Sequence, residues 1–149
     1  MLPGLVDVHN HGGGGLLSTS ADPLAVAGAA EHHLRQGTTG VVASIVTDRP
    51  DAMLEAVSAA ADGVESGHVV AVHVEGPFLA PARCGAQDPR YLVPPDAGLT
   101  RDLLDAGRGL EAPGLIGLQH ERAREALRAE AAAVVAEHDL VDVGGAQPG

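Results

Sequence analysis

Two histidines one residue apart, His9 and His11, close a short apolar run and are followed at once by four glycines, residues 12–15. In an extended chain the side chains of residues i and i+2 leave the same face, so the two imidazoles project together and can hold one cation between them. Asp7, two residues before His9, falls on that face by the same rule. The glycines leave no side-chain bulk above the pair, which suits close approach by a ligand. A His-x-His pair at a strand end is also a common polar edge, so the spacing alone does not decide between the two uses. Glu75 bears on the choice, because it ends another apolar run, HVVAVHVE at residues 68–75, directly before Gly76. His73 shares the face of Glu75, and a buried supporting histidine is its expected role.

The elements that position these residues alternate along the chain. Leu5, Val6 and Val8 read as a strand of the fully buried kind. Asp22-Pro23 is a helix start, an N-cap acid followed by proline in the first turn. The spacing predicts a helix over 23–36 with Leu24, Ala27, Ala30 and Leu34 on its apolar side and Gly37 at its left-handed end. His32 and His33 fall in it as a solvated pair. The run GVVASIVT at 40–47 is rich in β-branched residues and too short for a helix, so it is a second strand. Residues 50–62 form a second helix with Met53, Leu54, Val57 and Ala61 at helical spacing, and 68–75 a third strand. Strand and helix in strict alternation predict a parallel sheet with helices outside it. The ends of its strands then meet at one rim, and His9, His11 and Glu75 all stand at such ends.

Residues 76–95 carry many prolines and glycines and read as a long functional loop, in which Cys84 is a bystander and Arg83 and Arg90 are solvated cations within reach of a phosphate. Thr100 is placed to cap a short helix containing Leu103, Leu104 and Ala106. Residues 119–138, rich in Ala, Glu and Arg, predict a solvent-facing helix, and 143–149 a frayed tail.

Composition removes several classes of function. The formal charge of −11, with nine Lys and Arg against twenty acids, leaves no basic footprint for a nucleic acid. A single cysteine excludes an internal disulfide framework and fits a reducing cytosol. No apolar run approaches the length of a membrane span and no basic segment precedes an apolar one, so a cytoplasmic chain is expected. Hydrophobic residues make up 45 % of the chain but aromatics only 1 %, so the core must be built from Ala, Val and Leu, with modest stability.

The stretches PGLVDVHNHGGGG at 3–15, GTTGVVASIVT at 37–47 and VVAVHVEGPFLAPARCGAQDPRYL at 69–92 resemble the N-acetylglucosamine-6-phosphate deacetylases of the amidohydrolase superfamily. His-x-His is shared across that superfamily; EGPFL and GAQDP are the specific part. The resemblance implies a (β/α)8 barrel of the TIM type, of which this chain supplies about the first three βα units over residues 1–109, followed by a divergent helical tail over 110–149. It implies a divalent metal, zinc or similar, as one or two ions. The implied reaction is hydrolysis of the acetamide of N-acetylglucosamine 6-phosphate to glucosamine 6-phosphate and acetate, in amino-sugar catabolism. Carried over by residue, Glu75 is a metal ligand, His9 and His11 are the strand-one pair that supports a second metal, and Gly85, Ala86 and Gln87 belong to the loop that contacts the sugar.

The same resemblance places the general-base Asp and the remaining histidine ligands on later strands, past the distance this chain reaches. No catalytic residue is therefore assigned, and the chain alone is expected to be an incomplete, inactive fragment. An open sheet edge invites weak stability or association, a homo-oligomer among its outcomes. Two other readings stand beside this one. A deaminase or dihydroorotase-like amidohydrolase is disfavoured by EGPFL and GAQDP, whereas a non-catalytic metal-binding or partner-dependent module would use the 119–138 helix to cover the open edge.

Overall fold

Prolines and glycines punctuate the chain into short elements, and the computed structural model describes residues 3–107 together with a strand at 116–118. In order they are β1 (Leu5–Asn10), β2 (Gly12–Gly13), β3 (Leu16–Leu17), α1 (Pro23–Leu34), β4 (Thr38–Ile45), α2 (Pro50–Glu65), β5 (Ala71–Val74), α3 (Ala97–Ala106) and β6 (Ile116–Leu118). β1, β4, β5 and β6 are hydrogen-bonded in that order into one parallel sheet, giving the mixed α/β architecture that alternation predicted. The fourth parallel strand lies inside the stretch read from sequence as a helical tail. Three residues, Ile-Gly-Leu, are too few to display a strand period. The predicted 119–138 helix lies outside the described residues.

The three βα crossovers are built from local signals. Asp22 caps α1, its Oδ1 accepting from Leu24 N at 2.9 Å, and Gly37 and Gly67 follow α1 and α2 with φ of 99° and 78°, values that favour glycine. α3 is capped by Asp96, whose Oδ1 accepts from Leu99 N at 2.9 Å. Thr100, the cap expected from sequence, is instead fully buried within the helix and donates its hydroxyl to Asp96 O at 2.7 Å.

The helices bury one face of the sheet. Val41, Ala43 and Ile45 of β4 and Val72 and Val74 of β5 alternate onto that face and meet Val26 and Ala30 of α1, Met53, Val57 and Ala60 of α2 and Leu103 of α3. The core is aliphatic, as the composition required. On α1 the buried face is Val26, Ala29 and Ala30, while Leu24 and Leu34 are exposed, so the predicted face is rotated. A helix apolar nearly all round carries little information about which side faces inward.

β1 departs further from expectation. Leu5, Val6 and Val8 are 66 %, 64 % and 70 % exposed, because β1 is the edge strand and no described element covers it. An apolar run predicts what a strand can bury, not whether a neighbour is there. Among the described residues no helix is long and apolar enough to cross a membrane.

Candidate metal centre

Register decides which side chains meet. Ala43, a core residue, pairs with Asn10 on β1, and Ser44 pairs with His73 on β5. Asn10 therefore belongs to the helix face, and its neighbours His9 and His11 to the opposite one, with Ser44 and His73. Glu75, just past β5, is kept in line by its backbone N–H donating to Ile45 O at 3.0 Å, so it follows His73 onto that face.

The three residues singled out as ligands converge. Glu75 Oε1 lies 2.7 Å from His9 Nε2 and 3.0 Å from His11 Nε2, and the two nitrogens are 3.2 Å apart. The carboxylate is 11 % exposed, whereas the imidazoles above it are 46 % and 44 % exposed, so the cluster has a floor and an open top. His11 Nδ1 is 3.0 Å from the carbonyl oxygen of Ser44. A carbonyl only accepts, so Nδ1 carries the proton and Nε2 presents a lone pair. Oε1 is buried and receives no hydrogen bond. Its short approaches to the histidines are ion pairs only when an imidazole is protonated; with neutral rings His11 Nε2 faces it as an acceptor, and a proton on His9 Nε2 serves only one of its two close neighbours. A cation satisfies such a set, and two imidazole nitrogens with a carboxylate oxygen suit zinc or a similar divalent ion.

His73 stands closer to this site than its expected supporting role suggested. Its ring lies 5.3 Å from that of His9, and His9, His73 and Glu75 each offer a ligand atom within 4.8 Å of the others. Burial, and after it the nearby charge of His9, lowers its pKa and favours the neutral, ligand-competent ring. Ser44 Oγ, 3.3 Å from His73 Nδ1, also accepts from Asn10 N at 3.2 Å, so one buried serine touches both histidine-bearing strands.

Behind the pair is a feature that sequence reasoning missed. Asn10 is 5 % exposed and its amide is fully engaged. Oδ1 accepts from Gly12 N at 2.9 Å and Ser18 Oγ at 3.2 Å; Nδ2 donates to Asp7 Oδ2 at 2.9 Å and lies 3.0 Å from His33 Nε2. His33, expected in solvent, also lies 3.0 Å from Gly12 O. The available signal was alternation: a residue between two side chains on one face of a strand must point the other way.

Asp7 does not share the face of His9 and His11. Between pairs Asp7↔Val41 and Asn10↔Ala43 the edge strand spends three residues against two, a bulge that turns Asp7 toward Asn10. The hydrogen bond from Asn10 is the main reason its carboxyl is held below the usual range. The glycines also serve a different purpose. Gly14 and Gly15, with φ of 62° and 82°, turn the β2–β3 hairpin, and a Cβ on Gly13 would run into His33 and His32. They let the hairpin close onto α1.

In the long loop, two short 3-10 turns, Pro81–Arg83 and Pro89–Tyr91, flank the sugar-loop candidates. Gly85 (φ 61°) and Ala86 are exposed and make no described contact with the cluster. Gln87 does reach it, donating Nε2 to Glu75 Oε2 at 2.6 Å while its Oε1 accepts from Thr47 N at 2.7 Å. Arg90 is held by Asp88 at 2.6 Å.

Residues 1–148 match the amidohydrolase family, so the likeness continues through the stretch that read from sequence as divergent. The N-acetyl-D-glucosamine-6-phosphate deacetylase of Mycobacterium smegmatis superimposes with a TM-score of 0.68 and 42 % identity over 72 % of this chain and 29 % of its own. The N-acetylglucosamine-6-phosphate deacetylase of Bacillus subtilis is 27 % identical over 74 % of this chain and 30 % of its own length. An N-acetylgalactosamine-6-phosphate deacetylase of a Shewanella species is 28 % identical over 62 % of this chain and 24 % of its own. The chain thus spans less than a third of each.

Proposed function

The chain belongs to the amidohydrolase family, and on that premise we propose that it forms the first metal-binding portion of a (β/α)8 barrel that deacetylates N-acetylglucosamine 6-phosphate. The products are glucosamine 6-phosphate and acetate. The observation that carries the proposal is the buried, unpartnered Glu75 Oε1 facing His9 and His11. When bound there, a divalent cation supplies Lewis-acid polarisation and acidifies a water molecule.

The residues of this chain have separable tasks. His9, His11 and Glu75 provide the ligand atoms, with His73 beside them. The Ser44 carbonyl holds His11 in the tautomer that frees Nε2. Among the described residues we assign no general base, so the isolated chain is an inactive part of the machinery. The exposure of Leu5, Val6 and Val8 supports that reading, since further barrel strands, or a second copy of the chain, would cover them. The substrate is a small anionic sugar; an N-acetylgalactosamine 6-phosphate substrate is the second reading, favoured by the Shewanella relative.

A chimaera tests the function directly. Residues 3–107 of this chain replace the corresponding part of the Mycobacterium smegmatis deacetylase, and acetate release is measured with both sugar phosphates. Turnover of N-acetylglucosamine 6-phosphate, abolished by Glu75→Gln, is the expected result. A folded chimaera that binds zinc and releases no acetate from either sugar refutes the proposal, and turnover by the 149-residue chain alone refutes its inactive status.

A further inference from the structure

We propose that Gln87 is a positioning residue for Glu75; the inference rests on the metal centre described above. The primary amide of Gln87 is engaged at both heavy atoms. Its Oε1 accepts from the backbone N–H of Thr47, just past β4, at 2.7 Å, and its Nε2 donates to Glu75 Oε2 at 2.6 Å. The Thr47 contact fixes the amide orientation: a backbone N–H can only donate, so the atom facing it is the oxygen and the atom facing Glu75 is the nitrogen.

The consequence falls on the two carboxylate oxygens. Oε2 is occupied by Gln87, and Oε1 is left buried, without a hydrogen bond, against the two histidines. The carboxylate is thus held with one oxygen toward the ion, and its torsion is tied through Gln87 to the backbone of the neighbouring strand. The loop is shaped to deliver the amide. Gly85 turns with φ of 61°, Gln87 N donates to Cys84 O at 3.1 Å, and Asp88 caps the turn that follows. Partners that orient a metal ligand typically matter by about 10- to 100-fold in metal affinity.

The test uses Co2+ alone, titrated into the 149-residue chain and read by visible absorption, with no sugar present. Gln87→Met keeps the side-chain length and removes both hydrogen bonds. We expect it to weaken Co2+ binding by about 10- to 100-fold and to alter the ligand-field bands, with metal-free circular dichroism unchanged. Glu75→Gln should weaken binding further, and adding Gln87→Met to it should cost nothing more. Wild-type affinity and bands in Gln87→Met, alongside loss of binding in Glu75→Gln, overturn the role of Gln87 while the metal centre stands. Undiminished binding in Glu75→Gln overturns the centre itself. A measurement on the wild-type chain guards against misfolding of the variant: the side-chain amide 15N–1H signals of Gln87 should shift on adding Zn2+, and signals that stay in place overturn the proposal.

Discussion

Replacing Asn10 with alanine should destabilise the fold more than its position between two exposed histidines suggests. The substitution removes an acceptor for Gly12 N and Ser18 Oγ and a donor to Asp7 Oδ2 beside the His33 ring, at a site 5 % exposed. A neutral hydrogen bond contributes about 1 kcal/mol net and one to a carboxylate about 1.5–3 kcal/mol. These contacts share one network and are not additive, so the expected loss is about 3–4 kcal/mol. A small domain has about 5–15 kcal/mol in total. Urea unfolding followed by circular dichroism is the assay, and with a slope near 2 kcal/mol per molar the midpoint should fall by about 1.5–2 M. Leu24→Ala, at a residue 79 % exposed, is the control and should cost about 0.5 kcal/mol or less. A midpoint for Asn10→Ala within about 0.5 M of wild type, at equal slope, would mean that the network is not holding the hairpin and α1 together.

Three further outcomes follow from the same geometry. Because the Asp7 carboxyl is depressed in the folded state, its stabilisation is complete above the unfolded value near 3.8 and is lost as pH falls through the folded value. The stability gap between wild type and Asp7→Asn should therefore be constant from pH 6 to 5 and shrink toward pH 3, and a gap that persists at pH 3 contradicts the assignment. Gly76→Ala puts a methyl group onto Thr47 Oγ1, a buried hydroxyl without a hydrogen-bond partner, and should destabilise by about 1–3 kcal/mol; a neutral substitution would show that the loop yields there. Leu103→Ala opens a cavity between α3 and the core and should cost about 2–5 kcal/mol in thermal or urea unfolding, whereas a cost under 1 kcal/mol would mean that α3 is not docked as described.

The convergence of the candidate residues was legible in the sequence because it depends on two short-range rules, the two-residue period of a strand and the common rim of a parallel sheet. His9, His11 and Glu75 obey both, and the structure brings them together. Asp7 obeys the same period on paper and fails in space, since a single extra residue on an edge strand inverts the faces beyond it. Asn10 and His33 are 23 positions apart, and nothing local in either marks the other as its partner. The face of α1 was illegible for a different reason, because the unbroken run of small apolar residues at 25–30 gives periodicity little to select. Gln87 was found as a residue near the site, but its contacts with Thr47 and Glu75 needed the path of the loop. The strand at 116–118 was too short to announce itself.

Ser44 closes the account of how His11 is aimed. The group that sets the His11 tautomer is the main-chain oxygen of Ser44, not its hydroxyl. Every amino acid has that oxygen, so no substitution at position 44 deletes the contact. A scan of point variants would register the hydroxyl, through Asn10 and His73, and leave the more consequential bond unseen. Only a slip of one strand along the other, or replacement of the amide by an ester, would expose it. Proton placement at His11 is in that sense inherited from strand alignment, and it withstands mutational drift for as long as the alignment does.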